Sequence, residues 1–179
     1  MKNTKAGYFL KLTLTLLVIS AVVACLLGMT NYITADKIAE ITAQKTAASM
    51  EEVLPADSYT ELSYTGSEAN VAAVYQAGDA GYVVEVTPSG FGGAIDMVVG
   101  VSTDGTVTGV SIVSMSETSG LGANASKDAF RSQYVGLSGE LAVNKDGGEI
   151  DALTGATITS RAVTDGVNTA LRVAAELMG

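Results

Sequence analysis

Ten residues near the end of the chain gather four hydroxyls and a carboxylate around two small residues: Asp151-Ala152-Leu153-Thr154-Gly155-Ala156-Thr157-Ile158-Thr159-Ser160. Gly155 and Ala156 leave the Thr157 hydroxyl little covered. From Ile158 onward, Ala162, Val163, Val167, Ala170, Leu171, Ala174 and Leu177 fall at helical spacing, which predicts a C-terminal amphipathic helix directly after Thr157. The first N–H groups of a helix lack intrahelical acceptors, and the helix dipole favours an anion there. A phosphate carried on Thr157 would therefore sit at a natural anion site, with Thr159 and Ser160 as further hydroxyl donors. The same residues also read as an ordinary helix start, because Ser, Thr and Asp gather where they cap helices. The residue pattern leaves both readings open.

Little else in the chain could do chemistry unaided. There is no histidine, which removes His-based triads, His-ligated haem and most zinc sites. The single cysteine, Cys25, excludes an intrachain disulfide. Carboxylates are plentiful but show no spacing that marks a pair, so neither a catalytic residue nor a metal site is expected. Redox chemistry is open to such a chain only through a borrowed cofactor. All 19 acidic residues lie from Asp36 onward, where 7 basic residues oppose them, a balance of −12. That charge argues against nucleic acid and anionic lipid headgroups as partners.

The elements that must position Thr157 begin with a membrane segment. Leu12 to Met29 is uncharged and almost wholly apolar, and extending it to Ile33 reaches about the 20 residues that span a bilayer. Lys2, Lys5 and Lys11 precede it, which predicts a cytoplasmic N-terminus and an extracytoplasmic remainder. The run is long for the core of a cleaved signal peptide. Val22-Val23-Ala24-Cys25 fits a lipobox loosely, but Leu26-Leu27-Gly28-Met29 continues the apolar run past the cysteine. A retained anchor over 1–34 is therefore expected. Thr34 or Asp36 could cap a second helix from Lys37 to Val53, a stalk over 35–56 that Pro55 would end. The domain over 57–179 shows β-rich runs at Val71–Gln76, Tyr82–Thr87, Ile95–Ser102 and Val107–Val113, with Asp104-Gly105 as a hairpin signal. Glu117 to Ala123 is irregular, Ser126 to Tyr134 suggests a short helix, and Asn144 to Gly148 a polar turn. Strands followed by helices predict an α+β domain with a mostly antiparallel sheet.

Three motifs in order carry a resemblance. Thr154-Gly155-Ala156-Thr157 resembles the Ser/Thr-Gly-Ala-Thr motif of the FMN-binding domain family, with Asp151 where that family has an upstream acidic residue. Glu117-Thr118-Ser119-Gly120-Leu121-Gly122 is similar to its Glu-Thr-Pro-Gly-Leu-Gly signature, with Ser119 in place of Pro. Gly90-Phe91-Gly92-Gly93-Ala94-Ile95, followed by Val98-Val99-Gly100-Val101, resembles its aromatic–Gly–Gly element and the next strand. Met115 stands where many relatives have His. The likeness covers about Gly81 to Met178.

The resemblance implies FMN held covalently through its phosphate on Thr157, attached by a flavin transferase that uses FAD and magnesium. It also implies a loop of Glu117, Thr118, Gly120, Leu121 and Gly122 beside the flavin ring. Met115, Tyr82 and Phe91 are further candidates for contact with the ring, and Lys127 and Arg131 for the phosphate. For the aromatics a core position, for the cations a solvated face, and for Glu117 a loop-organising role compete with those assignments. One anchor, a short outer domain and an end soon after the motif resemble the G-type branch of the family. That branch serves Rnf-type ion-translocating ferredoxin:NAD oxidoreductases. The branch implies an electron-transfer subunit in the cell membrane, partnered by other membrane subunits and without complete activity of its own. The alternatives are a non-redox extracytoplasmic binding module, a tethered flavin reductase, or the C-type component of a sodium-pumping NADH:quinone reductase.

Overall fold

The computed structural model describes the backbone from Asn3 and side chains from Gly7, so Met1, Lys2 and the side chain of Lys5 lie outside the described residues. The chain divides into two compact units, Met1–Ala43 and Gln44–Gly179.

Helix α1 (Asn3–Val53) includes all of the first unit's described residues. It is long and apolar enough to cross a membrane by length and composition. From Leu10 to Ile41 its leucines, valines and isoleucines are exposed on every side. The expected second start at Thr34 or Asp36 is absent. The Thr34 hydroxyl donates back to the Thr30 carbonyl at 2.9 Å instead of capping a new turn, and the helix continues. It ends at Val53, and Pro55, which has no N–H to donate, follows two residues later.

The second unit is α+β. Strands β1 (Tyr59–Leu62), β2 (Val71–Ala77), β3 (Gly81–Val86), β4 (Ile95–Ser102) and β5 (Val107–Met115) form one antiparallel sheet in sequence order. The β4–β5 turn at Asp104-Gly105 has Gly105 at φ +77°. β1 was not expected. It is a four-residue edge strand whose Thr60 and Glu61 are exposed, and pairing to β2 alone defines it. The predicted helix at Ser126–Tyr134 reduces to α2 (Asp128–Arg131), set between 3-10 turns at Gly122–Ser126 and Ser132–Tyr134.

Helix α3 (Thr157–Met178) covers one face of the sheet. Val163, Val167, Ala170 and Ala174 meet Val84, Val86, Met97, Val99 and Val101 there, with Phe130 and Tyr134 completing the core. Gly166 permits this closeness, since a Cβ on it would stand 2.8 Å from Met97 Sδ. The other face packs a smaller cluster of Val83, Val98 and Val113 against Met50, Val53 and Leu54. So from Gln44 on, the segment expected as a stalk packs on the domain. Gly100 and Gly109 are directly paired across β4 and β5 and form the notch for Val53. A Cβ on Gly109 would come within 2.9 Å of Val53 Cα, and the Thr108 hydroxyl donates to the Val53 carbonyl at 2.6 Å. At the outer edge of β5, Val107 exchanges backbone hydrogen bonds with Gly136 and Leu137, and Arg131 donates to the Val110 carbonyl.

Candidate functional site

Three chain segments converge at the N-terminal end of α3. The first is the turn between β3 and β4, closed by Gly90 N–H to the Gly93 carbonyl and Ile95 N–H to the Pro88 carbonyl. It carries Phe91, which is 69% exposed. The second is the loop after β5, where the N–H groups of Leu121 and Ala123 both donate to the Thr118 carbonyl and Gly120 sits at φ +78°. The third is the turn before α3, with Gly155 at φ +76° and the Ala156 N–H donating to the Leu153 carbonyl. Only glycine adopts the backbone conformations of Gly120 and Gly155 cheaply. The second and third segments touch, because a Cβ on Gly155 would be 3.2 Å from Leu121 Cδ2.

Between them lies a cleft of about 400 Å³, within the range of small-molecule sites. Phe91, Glu117, Thr118, Leu121, Gly122 and the run from Gly155 to Thr159 line it. No Lys or Arg is among the lining residues.

The residue flanking the start of α3 is Ala156, and no side chain caps the helix. The two hydroxyls later in its first turn are engaged elsewhere. Ser160 is fully buried, donates to the Ala156 carbonyl at 3.0 Å and accepts from the Leu153 N–H at 2.9 Å. Thr159 is buried and donates to Glu117 Oε2 at 2.7 Å. Thr157 is half-buried in the cleft wall at the uncapped helix end. The first N–H groups of α3 thus stay available to an anion.

Glu117 organises the loops. Its Oε1 accepts the Gly92 N–H at 2.9 Å while its Oε2 takes the Thr159 hydroxyl. Asp151 is exposed and outside the lining. It accepts from Asn144 Nδ2 at 2.9 Å, and its N–H donates to Gln133 Oε1 at 2.7 Å, so it shapes the turn leading to the motif. Thr154, Gly120 and Ser160 also lie outside the lining.

The remaining candidates separate cleanly. Phe91 lines the cleft and is not core, whereas Tyr82 reaches the Leu177 carbonyl at the far end of α3. Met115 packs against the main core. Arg131 does not reach the cleft, since it pairs with Glu52 and Asp128. Ile158 is a lining residue that sequence reasoning missed. Its signal was available: a large apolar side chain three and seven residues before Arg161 and Asp165, on the helix face that they keep polar. Among the described residues, no group of His, Cys, Asp and Glu could hold a metal ion.

Comparison with known proteins fits this geometry. Residues 90–172 match the FMN-binding domain model, a span that contains the whole cleft lining. The chain is 40% identical, over 91% of its length and 90% of the relative's, to the G component of the Na(+)-translocating ferredoxin:NAD(+) oxidoreductase complex of Acetobacterium woodii. It is 37% identical, over 90% of its length and 92% of the relative's, to the G component of the ion-translocating oxidoreductase complex of Methanosarcina acetivorans. A crystal structure of the C component of Na(+)-translocating NADH-quinone reductase from Parabacteroides distasonis is similar at 26% identity. It aligns over 60% of this chain and 61% of that one, with a TM-score of 0.49.

Proposed function

The chain belongs to the FMN-binding domain family, together with the G components of ion-translocating oxidoreductase complexes, and on that premise we propose that it carries FMN covalently on Thr157 and transfers electrons within an Rnf-type membrane complex. The observation that carries this reading is the state of the three hydroxyls at the start of α3: Thr159 and Ser160 are committed to hydrogen bonds, while Thr157 lines the cleft at a helix end without a side-chain cap.

The residues present suit the group. The N–H groups of the first turn of α3 would hold the phosphate without help from a cation. Phe91, Leu121 and Ile158 would give the ring apolar cover, and Gly122 and Gly155 let backbone come close. Bound FMN supplies one- and two-electron redox chemistry that the chain's own side chains lack. The protein's part is to hold it in place and orient it.

Attachment requires a separate flavin transferase, because no general base stands among the lining residues except Glu117, which is already engaged. In that step a bond forms between Thr157 Oγ1 and the FMN phosphorus of FAD, the pyrophosphate bond breaks, AMP leaves, and the enzyme takes the hydroxyl proton. The further parts of the reading are an anchor over 1–34 with its N-terminus in the cytoplasm, a connecting segment over 35–56, and a flavin domain over 57–179 outside. There it would meet the other membrane subunits. The lysines before the apolar run support this orientation.

The test is coexpression with a flavin transferase. The expected result is a band fluorescent under ultraviolet light on a denaturing gel, with the mass increment of one FMN, that disappears in Thr157→Val. Equal fluorescence in Thr157→Val, or an unmodified mass with the transferase present, refutes the proposal.

A further inference from the structure

Glu117 makes contacts that its place in a surface loop does not require. Its two oxygens bind donors 25 and 42 residues away in sequence, Gly92 N–H at 2.9 Å and Thr159 Oγ1 at 2.7 Å. One carboxylate thereby ties the β3–β4 turn, its own loop and the first turn of α3 into a closed circuit. Space for it is made by glycines. A Cβ on Gly122 would stand 2.5 Å from Glu117 Oε2, and one on Gly90 would collide with Oε1. Each residue it holds is the neighbour in sequence of an apolar wall residue, Gly92 of Phe91 and Thr159 of Ile158. Fixing Gly92 against Thr159 therefore fixes the gap between Phe91 and Ile158 across the cleft.

We propose that Glu117 is the positioning residue that sets the width of this cleft and, resting on the reading of the cleft as the flavin site, that its negative charge in the wall holds the flavin's reduction potential down. Reduction adds negative charge to the ring, and a fixed, half-buried carboxylate in the wall opposes that addition.

The experiment uses the full chain in detergent, with and without flavin-transferase coexpression. Without flavin, Glu117→Ala speeds hydrogen exchange at the Gly92 amide roughly tenfold, the scale expected for losing a hydrogen bond to a charged acceptor. The amide of Gly136, bonded to the Val107 carbonyl, stays at its original rate and serves as the folding control. Glu117→Gln, whose amide oxygen still accepts, stays close to the parent rate. Glu117→Asp keeps the charge but is too short to reach both donors, and it accelerates exchange like Ala, so the test survives if Glu117→Ala fails to fold. Unchanged Gly92 exchange in Ala and Asp variants overturns the positioning role. In the flavin-loaded chain, Glu117→Gln has a more positive midpoint potential than the parent, and an equal potential overturns the charge effect. If the parent's Thr157 is never modified, the flavin reading and the charge effect fall together, while the exchange comparison still decides the positioning role.

Discussion

Along α1, Leu12, Leu16, Ile19, Val23 and Leu26 are exposed, and so are Leu14, Leu17, Val18 and Leu27 on its other sides. Along α3, Val163, Val167, Ala170 and Ala174 are buried in one stripe, while Arg161, Asp165, Arg172 and Glu176 face out. A helix apolar all round has no single face to pack and needs an apolar solvent. A helix apolar on one stripe is fixed by the sheet, and its ends become free for other work. The first helix suits an anchor. The second can spend its N-terminus on a ligand because its stability comes from its flank.

Moving one charge between the two helices would test this contrast most severely. Val167→Asp buries a carboxylate in the main core and is expected to cost on the order of 4 kcal/mol, read by urea unfolding of the chain in detergent. The same change in α1, Leu17→Asp, leaves that unfolding within about 0.5 kcal/mol but weakens membrane insertion by about 3 kcal/mol, read by an insertion assay. Equal effects on unfolding would erase the distinction. The end of α1 is the exception within that helix, because its last turns do pack on the sheet. Gly109→Val fills the notch for Val53 and should cost about 1–3 kcal/mol, again by urea unfolding.

The smallest effect lies on that same sheet face. Glu85 is directly paired with Val98 of the smaller cluster. Burial first, then the nearby Asp96 and Glu61 carboxylates, push its pKa above the usual carboxylate value. A raised pKa means the folded state binds this proton more tightly than the unfolded chain does. The favourable contribution is complete below the unfolded carboxylate range and is lost as pH rises through the folded value. Glu85→Gln should therefore raise the melting temperature slightly at pH 7, and the gain should vanish below about pH 4. A gain that persists in acid would show that the charge is not its cause.

Much of the architecture was legible because its signals are local. The four longer strands came from β-rich runs, the hairpin from Asp104-Gly105, and α3, expected from Ile158 and found from Thr157, from helical spacing. What stayed hidden depends on partners distant in sequence. β1 exists through its pairing with β2, and its own pattern is too short and polar to announce it. The continuity of α1 through Thr34 turns on one hydroxyl choosing the carbonyl four residues back over the N–H groups ahead. At the site, the Thr157 turn and the glycine loop could be read directly. That Phe91 and Ile158 share a cleft, with Glu117 bonded to the neighbour of each, could not, because those contacts join segments that only the fold brings together.

The borders of the sheet bear on how this protein meets others. At one border β1 is four residues long and carries a charge, and at the other the first half of β5 is already engaged, Val107 by Leu137 and Gly136 and Val110 by Arg131. Both borders shorten the row of unpaired amides and carbonyls that a neighbouring polypeptide could meet. Self-association by strand addition is thereby discouraged, and recognition by other proteins falls to side chains and to whatever the cleft displays.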